Sequence, residues 1–250
     1  MKIALITGGS RGLGRNMALH LARRGVGIIL TYHARKDAAD EARAEIEALG
    51  VKAAALPLDV TQSGSFPAFA QGVKAKLAEV WGRTDFDYLV NNAGTGAYAP
   101  IAETSVEKFD EMVAIHLKAP FFLTQALLPL IRDGGRIINV SSGLARFSYP
   151  GYAAYAMMKG GVEVFTRYLA KELGPRGIAA NVIAPGAIAT DFGGGRVRDD
   201  AEINHMIASQ TALGRVGLPD DIGGAVAALL SDESGWINGQ RIEVSGGIHL

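Results

Sequence analysis

Cysteine is absent from all 250 residues, which excludes disulfides, thiolate metal ligands and cysteine nucleophiles. An excess of one charge is also lacking, since 25 Lys and Arg balance 25 Asp and Glu. No net field draws the chain to nucleic acid or to an anionic membrane, so small molecules are the expected partners. Nowhere do about eighteen apolar residues follow one another, and no membrane-spanning helix is expected. The 5 histidines form no pair at metal-ligand spacing, so no metal is expected. The apolar run Ile3-Ala4-Leu5-Ile6 meets glycine at Gly8, too soon for the longer apolar core of a secretory signal. It reads as a first strand, and the expected location is cytoplasmic.

What the chain does have is an alternation of short apolar runs with longer helical patterns, as a parallel sheet covered by helices on both faces requires. Strands are expected at Lys2 to Thr7, Gly27 to Tyr32, Lys52 to Leu58, Tyr88 to Val90, Arg136 to Val140, Ala179 to Ile183 and Arg241 to Val244. Helices are expected at Leu13 to Arg24, Ala38 to Leu49, Phe66 to Val80, Val106 to Ile131, Tyr152 to Leu173 and Asp220 to Leu230. The result is an α/β chain, one domain over residues 1–250, with a doubly wound sheet of about seven parallel strands. Ala187 to Gly217 is the one irregular stretch. Its place after a strand's carboxyl end suits a lid over a site, and a plain surface loop with a short helix fits it equally.

Thr7-Gly8-Gly9-Ser10-Arg11-Gly12-Leu13-Gly14 follows the first strand and opens the first helix, where backbone amides and a helix N-terminus cradle a pyrophosphate. The spacing departs from G-x-G-x-x-G, and the acid usually found about 20 residues further on is missing. The second strand ends Leu30-Thr31-Tyr32-His33-Ala34-Arg35, with no carboxylate to bind a ribose 2′-hydroxyl. A 2′-phosphate is therefore not repelled, and Arg11 with His33 or Arg35 could hold it, which favours NADP(H) over NAD(H). After the third strand, Asp59 and Val60 fall beside the expected adenine, although Asp59 could instead cap the next helix.

Tyr155 and Lys159 stand four apart and therefore on one helical face, with Ser142 at the end of the run Ile137 to Ser141. An ammonium close to a phenol favours the phenolate. Moving a tyrosine from its ordinary value of about 10 toward neutrality takes about 4 kcal/mol, which a close cation in a partly dry site can supply. Such a tyrosine exchanges a proton with an alcohol or carbonyl, and Ser142 can hydrogen-bond the same oxygen. Taken alone, the pair also fits two ordinary neighbours on an amphipathic helix.

Together these residues resemble the short-chain dehydrogenase/reductase family over essentially the whole chain. The glycine loop is similar to that family's TGxxxGxG, Asn91-Asn92-Ala93-Gly94 to its NNAG turn, and Pro185-Gly186-Ala187-Ile188-Ala189-Thr190 to its PGxIxT segment. Gly214 to Ile222 and Gly239 to Gly247 resemble its closing pattern. The resemblance implies a Rossmann-type fold and an NADP-dependent oxidoreductase acting on CH–OH and C=O groups, of carbonyl reductase or 3-oxoacyl reductase type. It implies Tyr155 as general acid or base and Ser142 orienting the oxygen. Lys159 would lower the tyrosine pKa and hold the nicotinamide ribose. Gly8, Ser10, Arg11, Gly12, Leu13, Gly14, Tyr32, His33, Asp59 and Val60 are implied along the cofactor. Asn91, Ala93, Gly94, Tyr155, Lys159, Pro185, Gly186, Ile188 and Thr190 would line its nicotinamide half. The family's helical asparagine is replaced here by His116, which could hold the relay water through a ring nitrogen, titrate within the relay, or pack as a polar side chain. A homotetramer, or else a homodimer, is implied through the long helices and the last strand.

Substrate choice falls to Thr95 to Pro100, Gly143 to Tyr152 and the Ala187 to Gly217 segment. Phe147, Tyr149, Tyr152 and Phe192 give these an apolar lining suited to a ketone or alcohol with an apolar portion, or else serve as lid-to-core packing. Arg196 and Arg198 could grip an anionic group. An NADP-binding regulatory protein with little turnover is the alternative from another class, because a fold does not itself prove chemistry.

Overall fold

In the computed structural model, which describes Met1–Leu250, β1 (Ile3–Ile6) is apolar and buried at every position because it is covered on both faces. Ile3 and Leu5 join one core cluster; Ala4 and Ile6, pointing the other way, join a second. Around it lie β2 (Gly27–Tyr32), β3 (Ala53–Pro57), β4 (Phe86–Asn91), β5 (Ile131–Val140), β6 (Ala179–Pro185) and β7 (Arg241–Val244). All pair in parallel in the order β3-β2-β1-β4-β5-β6-β7. The doubly wound α/β sheet expected from the alternation is therefore present.

The helices are α1 (Gly12–Ala22), α2 (Lys36–Ala48), α3 (Phe66–Trp81), α4 (Val106–Val113), α5 (Ala119–Leu127), α6 (Ala153–Glu172), α7 (Arg196–Asp199), α8 (Ala201–Ser209) and α9 (Pro219–Leu229). Met17 and Leu21 of α1, Ala39 and Ile46 of α2, and Ile222 and Val226 of α9 cover one face of the sheet. Phe66, Val73 and Leu77 of α3, Leu123 and Leu127 of α5, and Leu169 of α6 cover the other.

Three boundaries differ from expectation, each for a local reason. The single helix expected over Val106 to Ile131 is divided by a π-helical turn at Ala114–Lys118 and ends in a 3₁₀ turn at Leu128–Leu130. Pro120 has no N–H to return to the carbonyl four residues back, at His116, and the wider turn falls where that bond is missing. The fifth strand starts at Ile131 rather than Arg136. Ile131 pairs with Phe86, and the register then shifts through the polar segment around Gly134, whose φ is +77°. The irregular stretch Ala187 to Gly217 holds a 3₁₀ turn at Phe192–Gly195, then α7 and α8, and its ends meet at a bridge between Ile188 and Gly217. By length and composition alone the run Val106–Leu130 is apolar enough to cross a membrane, as the core helix of a globular domain also can be. Its Met112, Ile115, Ala119, Leu123 and Leu127 are packed into the interior, as a core helix requires.

A ladder of amides joins β4, β5 and α6 beneath the carboxyl edge. Asn91 Nδ2 donates to Asn139 Oδ1 (2.8 Å) and to Thr124 Oγ1 (3.0 Å), and Asn139 Nδ2 donates to Thr166 Oγ1 (2.8 Å). Asn139 has no solvent exposure, so both of its partners depend on it. Asn139→Ala is expected to lower the unfolding free energy by about 2–4 kcal/mol with an unchanged denaturant slope, because it leaves buried polar groups unsatisfied. Urea denaturation measures this; a loss below about 0.5 kcal/mol would mean that the ladder is not needed for stability.

Candidate active site

The strand order reverses between β1 and β4, so the connections leaving their carboxyl ends part in opposite directions and open a crevice. The glycine loop forms one wall and the turn after β4 the other, and each holds its neighbour. Thr7 Oγ1 accepts the N–H groups of Asn92 and Ala93, both at 2.9 Å, while Asn92 Nδ2 donates to the carbonyls of Thr7 (2.8 Å) and Gly8 (3.3 Å). Thr7 and Asn92 are thus site-building residues that the sequence reading quoted within motifs but did not single out. Asn91 turns its side-chain amide inward to the ladder, which leaves its backbone at the crevice.

Two glycines in the loop are demanded by geometry. Gly8 has φ +66°, and a Cβ on Gly14 would lie 2.2 Å from the Gly8 carbonyl oxygen. The first turn of α1 starts beyond Arg11 with no side chain capping its amides, leaving N–H groups free to meet an anion. Ser10 is buried in the loop, Leu13 packs against the core beneath it, and the Arg11 side chain is mostly exposed. At the end of β2, Tyr32 holds the next connection by accepting from Leu58 N (2.8 Å). The exposed His33 lies 3.6 Å from Asp59, and Arg35 is already paired with Asp37 at 3.1 Å. Asp59 accepts from the amide and hydroxyl of Thr61, which hold its carboxyl below the usual carboxylate range. Those bonds form a tight turn and leave the helix-cap alternative unrealised.

Ser142, Tyr155, Lys159 and His116 converge at the carboxyl edge beside this crevice. Ser142 Oγ accepts from Leu144 N (3.2 Å), so its own proton is free to point outward, and it stands near enough to Tyr155 to influence the phenol. Lys159, buried on α6, donates to the Val140 carbonyl at 2.8 Å and lies 5.4 Å from the centroid of the Tyr155 ring. Burial pushes the Tyr155 phenol up, and the influence of Ser142 only partly offsets it. The expected lowering by Lys159 is therefore not realised: the ammonium is bonded to Val140, and desolvation dominates. The same burial lowers Lys159 to about 8.

His116 projects from the π turn, with Nε2 at 2.8 Å from the Thr95 carbonyl and its ring edge-on to Tyr155 at 5.2 Å. A carbonyl only accepts, so Nε2 carries the proton and Nδ1 presents a lone pair. Burial and then the charge of Lys159 lower the imidazole to about 3, against the Thr95 hydrogen bond. Held so low, the ring is neutral at working pH, which favours holding a water or packing over titrating in a relay, among the three alternatives. Gly94 makes room for it, since a Cβ there would stand 2.8 Å from His116 Cε1. His116 Nδ1 and Asn91 Oδ1, buried and without partners in the protein, belong to residues lining a cavity of about 20 Å³ with Thr7, Val60 and Lys159. That volume suits about one water.

Beyond β6, Pro185 ends the strand and Gly186 bonds to Val244 (3.1 Å), where any Cβ would meet the Ser245 backbone at 2.9 Å. Thr190 is buried and accepts from Phe192 N (3.2 Å), which places Phe192 6.1 Å from the Tyr155 ring. Tyr152 meets Tyr98 at 5.5 Å and Tyr149 at 6.2 Å, and the Tyr149 hydroxyl reaches Met206 of α8. An aromatic wall drawn from three separate loops thus stands near the reactive tyrosine. Tyr98 and Met206 were not anticipated; only an aromatic in the loop after β4 hinted at the first. Phe147 packs on Gly143 and His249, as its packing alternative has it, and Arg198 is held by Asp191 and Asp199.

The chain matches the family model described as enoyl-(acyl carrier protein) reductase over residues 8–249. It is 36% identical over 257 residues to a hydroxynaphthalene reductase-like protein of Metarhizium brunneum, covering 98% of this chain and 94% of that one. A tetrahydroxynaphthalene reductase of Pestalotiopsis fici is 37% identical, with 98% and 91% covered. Among solved structures, the promiscuous reductase LugOII, which catalyses keto-reduction at C1 during lugdunomycin biosynthesis, superposes with a TM-score of 0.94 at 40% identity, covering 100% and 98%. The angucycline C-6 ketoreductase LanV with bound NADP gives 0.93 at 38%, covering 98% and 95%. With its sheet order, glycine loop and matched relatives in agreement, the chain belongs to the short-chain dehydrogenase/reductase family of oxidoreductases.

Proposed function

We propose that this protein reduces a ketone carried on a fused aromatic ring system to the secondary alcohol, using NADPH, with Tyr155 as the acid. The observation that carries this reading is a buried Tyr155, its phenol raised by burial and influenced by nearby Ser142, beside the aromatic wall of Tyr98, Tyr149, Tyr152 and Phe192. Flat aromatic substrates match rings presented by three loops. The named substrates of the relatives, hydroxynaphthalenes and the angucycline-type ketone rabelomycin seen with LanV, support the same class.

The residues fit the cofactor. The Gly8 and Gly14 backbone closes too tightly for side chains, and the uncapped α1 N-terminus suits a pyrophosphate. No acid stands at the end of β2, exposed His33 follows it, and the mostly exposed Arg11 of the glycine loop, 3.9 Å from Asp191, keeps a charge at the crevice, which supports a preference for NADP(H) over NAD(H). Lys159 keeps N–H groups for ribose hydroxyls beyond the one given to Val140. Ile188 and Thr190 would line the nicotinamide side. Bound NADPH supplies the hydride to the carbonyl carbon.

Tyr155 gives its proton to the carbonyl oxygen as charge develops there, and a phenol raised by burial holds that proton until it is needed. Ser142 donates to the same oxygen, its Oγ being oriented by the Leu144 amide. The Lys159 ammonium stabilises the charge left on Tyr155. Neutral His116 supports the site by fixing the Thr95 carbonyl and offering Nδ1 to a water in the small cavity. Exposed Phe121, Phe122, Val164 and Tyr168 on α5 and α6 suit burial against a second copy, consistent with a homotetramer.

Tyr155→Phe is expected to lower kcat for α-tetralone at least about 1000-fold while leaving NADPH affinity within about threefold, read by nicotinamide absorbance and fluorescence titration. NADPH binding by the wild type with no turnover of any aromatic ketone would instead mark a binding protein. Arg11→Ala should raise KM for NADPH at least about tenfold and leave KM for NADH nearly unchanged, because a charge-assisted phosphate contact is lost. An equal effect on both cofactors would remove Arg11 from 2′-phosphate recognition. Reduction should weaken as pH rises through about 8, where Lys159 loses its proton. His116→Asn should leave the profile between about pH 5 and 8 unaltered, because a neutral imidazole contributes no titration there. A lost limb in that range would show that His116 does titrate.

A further inference from the structure

The end of β5 is held from behind by charges that no step of the proposed reaction uses. Arg241, at the start of β7, donates from Nη2 to the Ser142 carbonyl (3.2 Å), from Nε to Glu163 (2.7 Å) and from Nη1 to Glu243 (2.8 Å). Glu163 lies on α6 four residues beyond Lys159 and also accepts from Ser141 Oγ at 2.7 Å. Glu243 is gripped on its other side by Arg146, whose Nε and Nη2 reach its two oxygens at 2.7 and 2.8 Å. Arg146 follows the Ser142 turn, and it further donates to the carbonyls of His249 (2.9 Å) and Ile248 (2.8 Å) in the C-terminal tail.

That tail is in turn bonded to the lid. Gly247 and Gly246 carbonyls accept from Ala212 and Leu213, His249 N donates to Gln210, and Thr211 bridges Ile248, all just beyond α8. Phe147 closes the same corner, edge-on to His249 at 4.6 Å. Two arginines and two glutamates therefore connect α6, the Ser142 turn, β7, the tail and the lid in one neutral cluster.

Isolated exposed ion pairs contribute little, but this cluster differs in kind. Glu163, Glu243 and Arg241 side chains are 14%, 20% and 22% exposed, and the Arg146–Glu243 contact is bidentate. Burial works against the Glu243 charge, yet hydrogen bonds from Arg146 and Arg241 hold it at about 2, so Glu243 stays ionised throughout the working range. A cluster with three bonded partners on each arginine fixes directions as well as distances.

We propose that Arg241, braced by Glu163, Glu243 and Arg146, is a positioning residue that sets the direction of the Ser142 hydroxyl and links it to the C-terminal tail and lid. The inference rests on the reading of Ser142 as a participant in reduction. The Ser142 backbone is extended (φ −158°, ψ 152°), and its carbonyl takes two hydrogen bonds, one from Ala145 N within its own turn (3.1 Å) and one from Arg241 (3.2 Å), so the Arg241 contact is the one that ties this peptide plane to β7 and α6.

The test is a double-mutant cycle on the full chain, with α-tetralone and NADPH, at a temperature where circular dichroism shows every variant folded. Arg241→Gln is expected to lower kcat about tenfold with NADPH affinity unchanged, and Arg241→Lys to recover part of it. In a Ser142→Ala background the same Arg241→Gln change should cost less than about twofold, because its effect passes through the missing hydroxyl. The full tenfold loss in both backgrounds would overturn the proposal while leaving Ser142 in its role. Undiminished turnover by Ser142→Ala alone would overturn the role of Ser142, and the proposal with it. Should Arg241→Gln fail to fold, Arg146→Gln enters the same cycle, with the same non-additivity expected and additivity again counting against the proposal.

Discussion

A single buried cation, the ammonium of Lys159, organises the chemistry at the carboxyl edge of the sheet. It is 5% exposed and gives one hydrogen bond, to the Val140 carbonyl at the end of β5. A charge in such a place is costly, and it is tolerated because the strand end and the Tyr155 ring surround it. Its influence extends to its neighbours. Together with burial, it keeps His116 neutral, so the imidazole can occupy a position beside Tyr155 without adding a second cation. The phenol, raised by its own burial, remains a proton donor. These electrostatics support the proposed protonation of a carbonyl oxygen by Tyr155.

The sheet topology decides which loops share this space. Because the strand order reverses between β1 and β4, the glycine loop and the Asn91-Asn92-Ala93-Gly94 turn face each other, and Thr7 and Asn92 lock them together. Lys159 and Ser142 approach from the neighbouring β5 and α6, and the aromatic wall comes from segments that follow β4, β5 and β6. Rigid backbone around the hydride and proton positions is combined with rings in loops, where side chains can differ without disturbing the sheet.

His116 illustrates how much of the site could be read from the chain and where that reading stopped. Its place in the motif was evident from the sequence, as was the absence of the family's asparagine. Its tautomer, its neutrality and the clearance provided by Gly94 depend on Thr95, Lys159 and a π turn, none of which follows from residue spacing. The same limit applies to Asn91, whose motif position suggests a cofactor contact but whose amide is taken by Asn139, 48 residues away in the chain. Lys159 was expected to act on the phenol oxygen; in the folded chain its proton goes to a carbonyl that lies alongside only because β5 ends there.

The sequence by itself determined the layered α/β architecture, the glycine loop, and the identity and order of Ser142, Tyr155 and Lys159. Periodicity, positive-φ glycines and helical spacing act over a few residues and leave a local imprint. Only the tertiary structure decided protonation states, the membership of the aromatic wall, the packing of Phe147 on His249, the pairing of Arg198 with Asp191 and Asp199, and the Arg241 cluster behind Ser142. Those properties arise from desolvation and from hydrogen bonds between residues up to about a hundred positions apart, such as Arg241 and the Ser142 carbonyl. They exist only once the sheet has brought distant strands to one edge.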